Sequence, residues 1–521
     1  MKLKNFVSGQ WTEGRGAGAA LTDPVTGEEL ARASTDGVDY KAALEHARRA
    51  GGPALRKMSF AERAALIGKV ADVLGVNKDK YYALALANSG NTKGDAAIDI
   101  EGGYGTLKYY SSIGKRLGDA KYLRDGGFEQ FSKDDTFQAV HIRVPLEGVA
   151  VHINAFNFPS WGLWEKVAVA FLSGMPVLAK PATATALLSH AMVEDVVKAG
   201  VVPEGTLSLV CGSAGDLLDH LDRRDAVAFT GSAETAAKLR SHPNVIKNSI
   251  RFNAEADSLN SSLLGPDAKA DSPEFALFVR EVHREMTIKA GQKCTAIRRA
   301  FVPRALADAA GDALAAAIAK TVVGNPRNET VRMGPIVDKA QQKNVLDALA
   351  ALKREAKVVT GEGAFKPVDA DPAKSAFVAP TLLRCDAPAE AKAVHEIEVF
   401  GPVSTLMPYD SAEQAFALAA RGGGSLVASV FTADDAFARA AVLGLGASHG
   451  RVMVIDDAVG KLQTGHGIVM PMCVHGGPGR AGGGEELGGL RGLRFYHQRL
   501  AVQGNKARMA ALAAGAAEVG V

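Results

Sequence analysis

One of the four cysteines of this chain, Cys294, stands in the stretch IKAGQKCTAIRR, residues 288–299, and could act as a nucleophile. A free cysteine has a pKa of about 8.5, so little of it is thiolate at pH 7 unless its site assists. Gly291 lets the backbone approach closely, and Lys293 with the two arginines adds positive charge. The alternative is a structural role, because free cysteine is among the most buried residue types.

Further polar residues follow short apolar segments. Asn157 in INAFNFP could donate to an oxyanion, and Glu255 in RFNAEADSLN could act as a general base. In AVAFTGSAETAAKLR, free N–H groups at a helix start and the Ser232 hydroxyl could hold a phosphate. Lys180 ends the apolar run of MPVLAK, where doubly wound sheets bind ligands. Taken singly, each has a structural alternative, namely a turn cap, an N-cap or a surface position.

Alternating strand and helix patterns would position these residues. From about residue 147, the segments GVAVHINAF, MPVLAKPA, LSLVCG and AVAFTGS indicate short buried strands, and helical segments separate them. This alternation predicts an α/β fold with a parallel, doubly wound sheet. Residues 39–110 are predicted to be helical, with a capping box at Ser59 and Glu62.

The tail HGGPGRAGGGEELGGLRGLRFYHQRLAV is rich in glycine, which is typical of a flexible linker. Charged and apolar residues spaced through it, among them Arg480, Glu486 and Leu487, favour an ordered loop instead.

Composition limits the possible partners. With 521 residues, of which 47% are hydrophobic and 22% charged, the chain has the composition of a soluble protein of two to four domains. Its net charge of +3 is small beside 117 charged side chains, so neither nucleic acid nor a membrane surface is indicated. The cysteines are too scattered for a disulfide framework or a metal site, and no stretch has the ~20 apolar residues of a membrane span. We therefore expect a cytoplasmic protein without a metal.

An ordered set of motifs resembles the NAD(P)-dependent aldehyde dehydrogenase superfamily over nearly the whole chain. The set consists of NFP at 157–159, Lys166, KP at 180–181, FTGS at 229–232, Glu255, GQKC at 291–294 and EVFGPV at 398–403. The resemblance implies a Rossmann-type cofactor domain, an α/β catalytic domain and a β-arm for oligomerisation. It assigns residues 1–134 and 150–260 to nicotinamide dinucleotide binding, 261–455 to catalysis, and 135–149 with 456–521 to the arm and tail.

The resemblance also implies catalytic roles. Cys294 would be the nucleophile, and Asn157 with the backbone N–H of Cys294 would form the oxyanion hole. Lys166 would support the oxyanion side, and Glu255 would activate water. One departure is Asp257, where the family usually has glycine, and its carboxylate could raise the pKa of Glu255 by like-charge repulsion.

For the cofactor, the resemblance implies a set of eight residues, which are Phe156, Lys180, Ala182, Thr183, Gly231, Ser232, Glu398 and Phe400. Lys180 would contact the adenosine ribose, Ser232 the pyrophosphate and Glu398 the nicotinamide ribose. NAD-selective relatives often carry glutamate at the position of Thr183, and a carboxylate there repels a 2′-phosphate. Threonine leaves room, so NADP is the predicted cofactor, with NAD possible.

The glycine-rich tail resembles the ring-cleavage branch of the superfamily. Members of this branch oxidise CoA-thioester semialdehydes such as 3,4-dehydroadipyl-CoA semialdehyde, and the resemblance implies a CoA-linked aldehyde substrate and a homodimer or homotetramer. A CoA-acylating enzyme is one alternative, although such relatives generally lack a base at Glu255. A cysteine-dependent thioesterase without redox chemistry is another, with His283 as the nearest candidate base.

Overall fold

The structure is a computed structural model that describes residues 1–363 and 365–518. Over these residues the strands form four sheets, of which the largest has nine strands. Along this sheet lie Arg251–Glu255, Ala226–Thr230, Ala150–Ile153, Val177–Lys180, Leu207–Leu209, Lys2–Val7, Glu29–Ala33 and Ala19–Thr22, with Gln10–Glu13 paired to Lys2–Val7.

The first five of these strands run parallel, as predicted. From Ala150–Ile153 the chain proceeds to Val177–Lys180 and Leu207–Leu209, then returns to the other side of Ala150–Ile153 with Ala226–Thr230. Parallel strands need crossover helices that cover both faces, which is why these segments are apolar on both sides. The point where the strand order reverses lies between Ala150–Ile153 and Ala226–Thr230, and doubly wound sheets bind ligands at such a point.

The second sheet has seven strands, six of them mutually parallel and one antiparallel at an edge. In order they are Lys357–Thr360, Thr381–Arg384, Val403–Tyr409, Arg299–Pro303, Ser261–Leu264, Ser425–Phe431 and His449–Ile455. The α/β fold is thus confirmed in both halves.

Helices surround both sheets. The predicted capping box is present, since the Ser59 hydroxyl accepts from the Glu62 N–H and the Glu62 carboxylate accepts from the Ser59 N–H. None of the described helices is long and apolar enough to cross a membrane. The α-helices are Tyr40–His46, Gly52–Lys57, Phe60–Val76, Lys78–Ser89, Lys93–Arg116, Trp161–Ser173, Ala186–Lys198, Ala233–Arg240, Pro243–Lys247, Pro273–Thr287, Ala307–Ile318, Lys339–Leu352, Ala393–Glu396, Ala412–Ala420, Asp435–Leu445 and Lys506–Ala514.

The tail is ordered, as predicted. Val474–Gly476 and Glu485–Leu487 form a two-stranded antiparallel sheet. Glycine is required here because the tail lies directly on the first sheet: a Cβ on Gly482, whose φ is +106°, would stand 2.2 Å from the backbone oxygen of Ala254. The glycines thus allow the hairpin to reach the end of Arg251–Glu255.

A four-stranded sheet contains His497–Asn505, Phe137–Pro145, Leu123–Gln130 and Ala517–Glu518. This sheet joins the segment near residues 135–149 to the C-terminal tail, and its first strand in chain order begins at Leu123. The division of the chain into cofactor domain, catalytic domain and arm stays a prediction.

Candidate active site

Candidate residues from distant parts of the chain share one cavity at the carboxyl ends of the parallel strands. The cavity has a volume of about 500 Å³, and Cys294, Asn157 and Glu255 all line it. Glu255 ends its strand, Asn157 follows Ala150–Ile153, and Cys294 comes from the loop before Arg299–Pro303. The complete lining is Ala155, Asn157, Phe158, Trp161, Gly162, Glu165, Thr230, Glu255, Cys294, Thr295, Gly467, Val469 and His475.

The loop that carries Cys294 has an unusual backbone. Lys289, Ala290 and Gly291 all have positive φ, at 52°, 52° and 67°. A Cβ on Gly291 would lie 2.2 Å from the Gly401 oxygen, so only glycine permits this approach. The Asn260 amide donates to the Cys294 carbonyl at 2.8 Å. This loop therefore holds the thiol in the cavity wall, as the sequence predicted for Gly291.

The positive charge of the basic neighbours of Cys294 does not outweigh the groups that raise the pKa of its thiol. The Lys293 ammonium lies 2.6 Å from the Glu285 carboxylate, and the Arg299 guanidinium donates to backbone carbonyls, among them that of Leu259. Burial, and next the Glu255 carboxylate, raise the pKa of the Cys294 thiol well above its ordinary value. The resting thiol is therefore protonated, and its ionisation requires an acceptor for the proton.

The carboxylate of Glu255 is held by an imidazole. Its Oε2 lies 3.1 Å from Nε2 of His475, and both side chains are buried. Burial by itself would raise the pKa of Glu255, but the charge and hydrogen bond of His475 outweigh it and lower the pKa to about 2. The expected rise caused by Asp257 was wrong, because the Asp257 carboxylate instead accepts from the Ala233 N–H at 2.9 Å.

Two donors are available to an oxyanion in this cavity. Asn157 is buried and lines the wall. In the described part of the chain, the backbone N–H of Cys294 donates to no acceptor. An oxyanion hole needs donors of this kind beside the nucleophile, and the assignment of Asn157 and the Cys294 N–H to it stays a prediction.

Lys166 lies behind the cavity rather than in its lining. Its ammonium is 3.1 Å from Oε2 of Glu486 and 3.4 Å from Oε1 of Glu165. Glu165 does line the cavity, and burial raises its pKa to about 7. Lys166 therefore contacts the cavity only through Glu165, and its predicted support of the oxyanion stays a prediction.

The predicted nicotinamide-ribose residues also meet near these strand ends. Phe156 and Phe400 pack edge to face with ring centroids 5.7 Å apart. Oε2 of Glu398 accepts from the Ser258 N–H at 3.0 Å, and Oε1 lies 3.5 Å from Nη2 of Arg298. The Thr230 hydroxyl is buried without a hydrogen-bond partner among the described residues. Such an orphaned polar atom fits a hydroxyl group of a bound dinucleotide.

The remaining predicted cofactor residues lie along the same sheet edge. Ser232 caps the helix Ala233–Arg240, with its hydroxyl accepting from the Thr235 N–H, and Gly231 precedes it. Lys180 ends its strand, and Ala182 precedes the short turn that Thr183 begins. Thr183 lines a surface cleft of about 1020 Å³.

Comparison with known proteins decides the family. Residues 11–500 match the Aldehyde dehydrogenase family. The chain belongs to this family. It is 56% identical over 479 residues to 3,4-dehydroadipyl-CoA semialdehyde dehydrogenase of Aromatoleum evansii, which covers 92% of this chain and 93% of that protein. It is 28% identical to 2-hydroxymuconic semialdehyde dehydrogenase of a Pseudomonas strain, covering 95% of this chain and 98% of that protein.

The fold of this aldehyde dehydrogenase matches solved structures. An NAD⁺ complex of aldehyde dehydrogenase from Bacillus cereus superposes with a TM-score of 0.83 at 24% identity, covering 97% of each chain. The predicted aldehyde dehydrogenase fold is therefore confirmed. His283, the base considered for a thioesterase, bonds to the Thr321 hydroxyl at 2.8 Å and does not line the cavity.

Sequence reasoning missed three ionisable groups of the aldehyde dehydrogenase site, namely Glu165, His475 and Glu486. Glu165 had one signal, because it forms a charged pair with Lys166 in the otherwise apolar helix Trp161–Ser173. The other two lie in the glycine-rich tail, where composition does not separate a buried side chain from an exposed one.

Proposed function

We propose that this aldehyde dehydrogenase oxidises a CoA-thioester semialdehyde, namely 3,4-dehydroadipyl-CoA semialdehyde, to the carboxylic acid with NADP. The observation that carries the proposal is the 56% identity over 92% of the chain to the Aromatoleum evansii enzyme of that name. The arrangement of Cys294, Asn157 and Glu255 around one cavity supports it.

In the first half of the reaction, Cys294 releases its proton to solvent and its sulfur attacks the aldehyde carbon. The carbonyl oxygen becomes an oxyanion, which Asn157 and the Cys294 N–H stabilise, and one such donor contributes ~3–4 kcal/mol. A bound nicotinamide supplies the redox chemistry by accepting the hydride of that carbon. Glu398 and Phe400 would hold the nicotinamide end, and Lys180 and Ser232 would hold the adenosine and the pyrophosphate.

In the second half, Glu255 removes a proton from water, and the hydroxide attacks the Cys294 thioester. The carbon–sulfur bond breaks, the acid leaves and the thiol is restored. This step separates hydrolysis from CoA acylation, in which free CoA would attack instead. The buried Glu255 carboxylate beside Cys294 favours hydrolysis.

The proposed preference for NADP depends on Thr183. A glutamate at this position would place a carboxylate beside the ribose and repel a 2′-phosphate. We expect Thr183→Glu to lower the ratio of kcat/KM for NADP to that for NAD by at least about tenfold, while Thr183→Ser keeps the ratio. Initial rates with the two cofactors test this, and an unchanged ratio would place Thr183 away from the ribose.

A CoA-linked substrate needs room outside the reaction cavity. Trp161 and Val469 line both the cavity of Cys294 and a largely apolar groove of about 750 Å³. The groove runs between the helix Lys93–Arg116 and residues 468–472. Its apolar lining and its continuity with the cavity suit an extended acyl and pantetheine chain.

Gly105 offers a direct test of this groove. It lines the groove, and a Cβ added there would meet no atom within 4 Å. We expect Gly105→Phe to lower kcat/KM for the CoA-linked semialdehyde by about tenfold or more and to leave that for a two- or three-carbon aldehyde within about twofold, since the ring fills only the outer groove. Gly105→Ala is the matched control. Equal losses on both aldehydes would contradict this placement of the substrate.

The proposed function as a whole is tested by initial rates with NAD and NADP against free and CoA-linked semialdehydes of equal chain length. We expect the highest kcat/KM for the CoA-linked substrate with NADP, and the acid as product without added CoA. A strict need for free CoA would identify the acylating alternative, and equal kcat/KM for free and linked substrates would refute the substrate assignment.

We further propose a homodimer or homotetramer in the cytoplasm. The strand His497–Asn505 is an edge of the four-stranded sheet, and most of its side chains are exposed. An unpaired edge can add to the sheet of a second copy.

A further inference from the structure

His475 is brought to the reaction cavity by the glycine-rich tail. It lies in the strand Val474–Gly476, directly opposite Glu486 on Glu485–Leu487. The close packing of the tail glycines against Ala254 places this hairpin at the end of the strand that carries Glu255. His475 is 7% exposed and lines the cavity, so a buried imidazole stands among the reacting groups.

His475 contacts only one of the two carboxylate oxygens of Glu255. Oε2 lies 3.1 Å from the imidazole Nε2. Oε1 is buried and has no hydrogen-bond partner among the described residues. One ligand atom from each of Glu255, His475 and Cys294 lies within 4.8 Å of the others. The imidazole thus fixes one carboxylate oxygen and leaves the other free to accept a proton beside the sulfur.

We propose that His475 is the positioning residue of the general base: its Nε2–H holds Oε2 of Glu255, so that Oε1 takes the proton from water. This inference rests on the proposed role of Glu255 in thioester hydrolysis. A buried carboxylate that accepts from an imidazole N–H is fixed in orientation, which presents its second oxygen to water in one geometry.

The proton balance closes between Glu255 and Cys294. As the oxygen of water bonds to the thioester carbon, one proton moves from water to Oε1 of Glu255, while Nε2–H of His475 continues to donate to Oε2. The carbon–sulfur bond then breaks, and the electron pair stays on the sulfur of Cys294. Glu255 passes the proton to that sulfur, which regenerates the thiol and the carboxylate. Thioester and water have then become carboxylic acid and thiol.

Titratable groups on several elements face His475. They are Glu255 on its strand, Glu165 and Lys166 on the helix Trp161–Ser173, Glu486 on the paired tail strand, and the protonated Cys294 thiol. Burial lowers the pKa of His475, but Glu255 and the other carboxylates outweigh it and raise the pKa above the ordinary value. Below that raised pKa the positive charge of the imidazolium lowers the pKa of Glu255 and makes it a weaker base for water. We therefore expect hydrolysis of the thioester to accelerate as pH rises through the pKa of His475.

The test is a comparison of His475→Ala with the unchanged enzyme in stopped-flow experiments. We expect the first-turnover burst of NADPH to persist, because the sulfur and the oxyanion hole remain, while the steady-state rate falls about tenfold or more and its rise with pH disappears. Added imidazole should restore part of the steady-state rate, since the deleted ring leaves space beside Glu255. Glu255→Gln should not respond to imidazole, and His283→Ala, outside the cavity, should behave like the unchanged enzyme.

The outcomes separate this inference from the proposed function. If Glu255→Gln stalls but His475→Ala keeps a steady-state rate within about twofold of normal, the role of His475 is overturned and that of Glu255 stands. Equal loss of burst and steady state without rescue by imidazole would show only a structural role and would also overturn it. Full turnover of Glu255→Gln would instead remove the proposed base. If His475→Ala does not fold, His475→Gln keeps a hydrogen-bond donor, and we expect it to retain the burst and lose the pH dependence.

Discussion

Replacing Cys294 with serine should abolish aldehyde oxidation, with kcat falling by at least about 10³-fold. A serine hydroxyl has a pKa far above that of a thiol and is a much weaker nucleophile than a thiolate. The nearby Lys293 is paired with Glu285 and does not stabilise an alkoxide at this position. Initial rates of NADPH formation measure the loss.

The same variant should still bind the dinucleotide, because the predicted cofactor residues lie at the strand ends and on the segment around Glu398. Fluorescence titration with NADPH tests this, and Kd should stay within about threefold of normal. Cys473→Ser is the matched control, since Cys473 is exposed and does not line the cavity. Turnover by Cys294→Ser at more than a few per cent of the normal rate would exclude Cys294 as the nucleophile.

Replacing Glu255 with glutamine should permit one turnover of hydride transfer and then stop the enzyme as the Cys294 thioester. An amide cannot take a proton from water, so we expect the steady-state rate to fall by about 10²–10⁴-fold. Stopped-flow absorbance should show a burst of one NADPH per active site, and mass spectrometry of the quenched protein should find the acyl group on Cys294.

The defect of Glu255→Gln should persist at every working pH. The pKa of Glu255 is lowered to about 2. In the unchanged enzyme its carboxylate therefore stays ionised between about pH 5 and pH 9. Glu390→Gln, at an exposed position, is the control. A variant with normal steady-state turnover would assign water activation to another group, and one that fails already in the burst would show that Glu255 is needed before hydrolysis.

Much of the site could be predicted because its signals are local. Short segments apolar on both faces predict buried parallel strands, and such strands bring the residues that follow them to one edge. Asn157, Ser232 and Glu255 follow this rule. A glycine three residues before the cysteine likewise predicted a close approach of the backbone, and in the structure Gly291 packs against the backbone of Gly401.

Only the tertiary structure decided the electrostatics of the site. The amino-acid sequence by itself determined the α/β fold, the family, and the nucleophile and base as candidates, since these depend on residue type and neighbouring pattern. It did not pair His475 with Glu255, Glu486 with Lys166, or Lys293 with Glu285, because each contact joins residues on different segments of the chain. A charge interaction depends on the separation and burial of both partners, so the sign of each pKa shift follows from the fold.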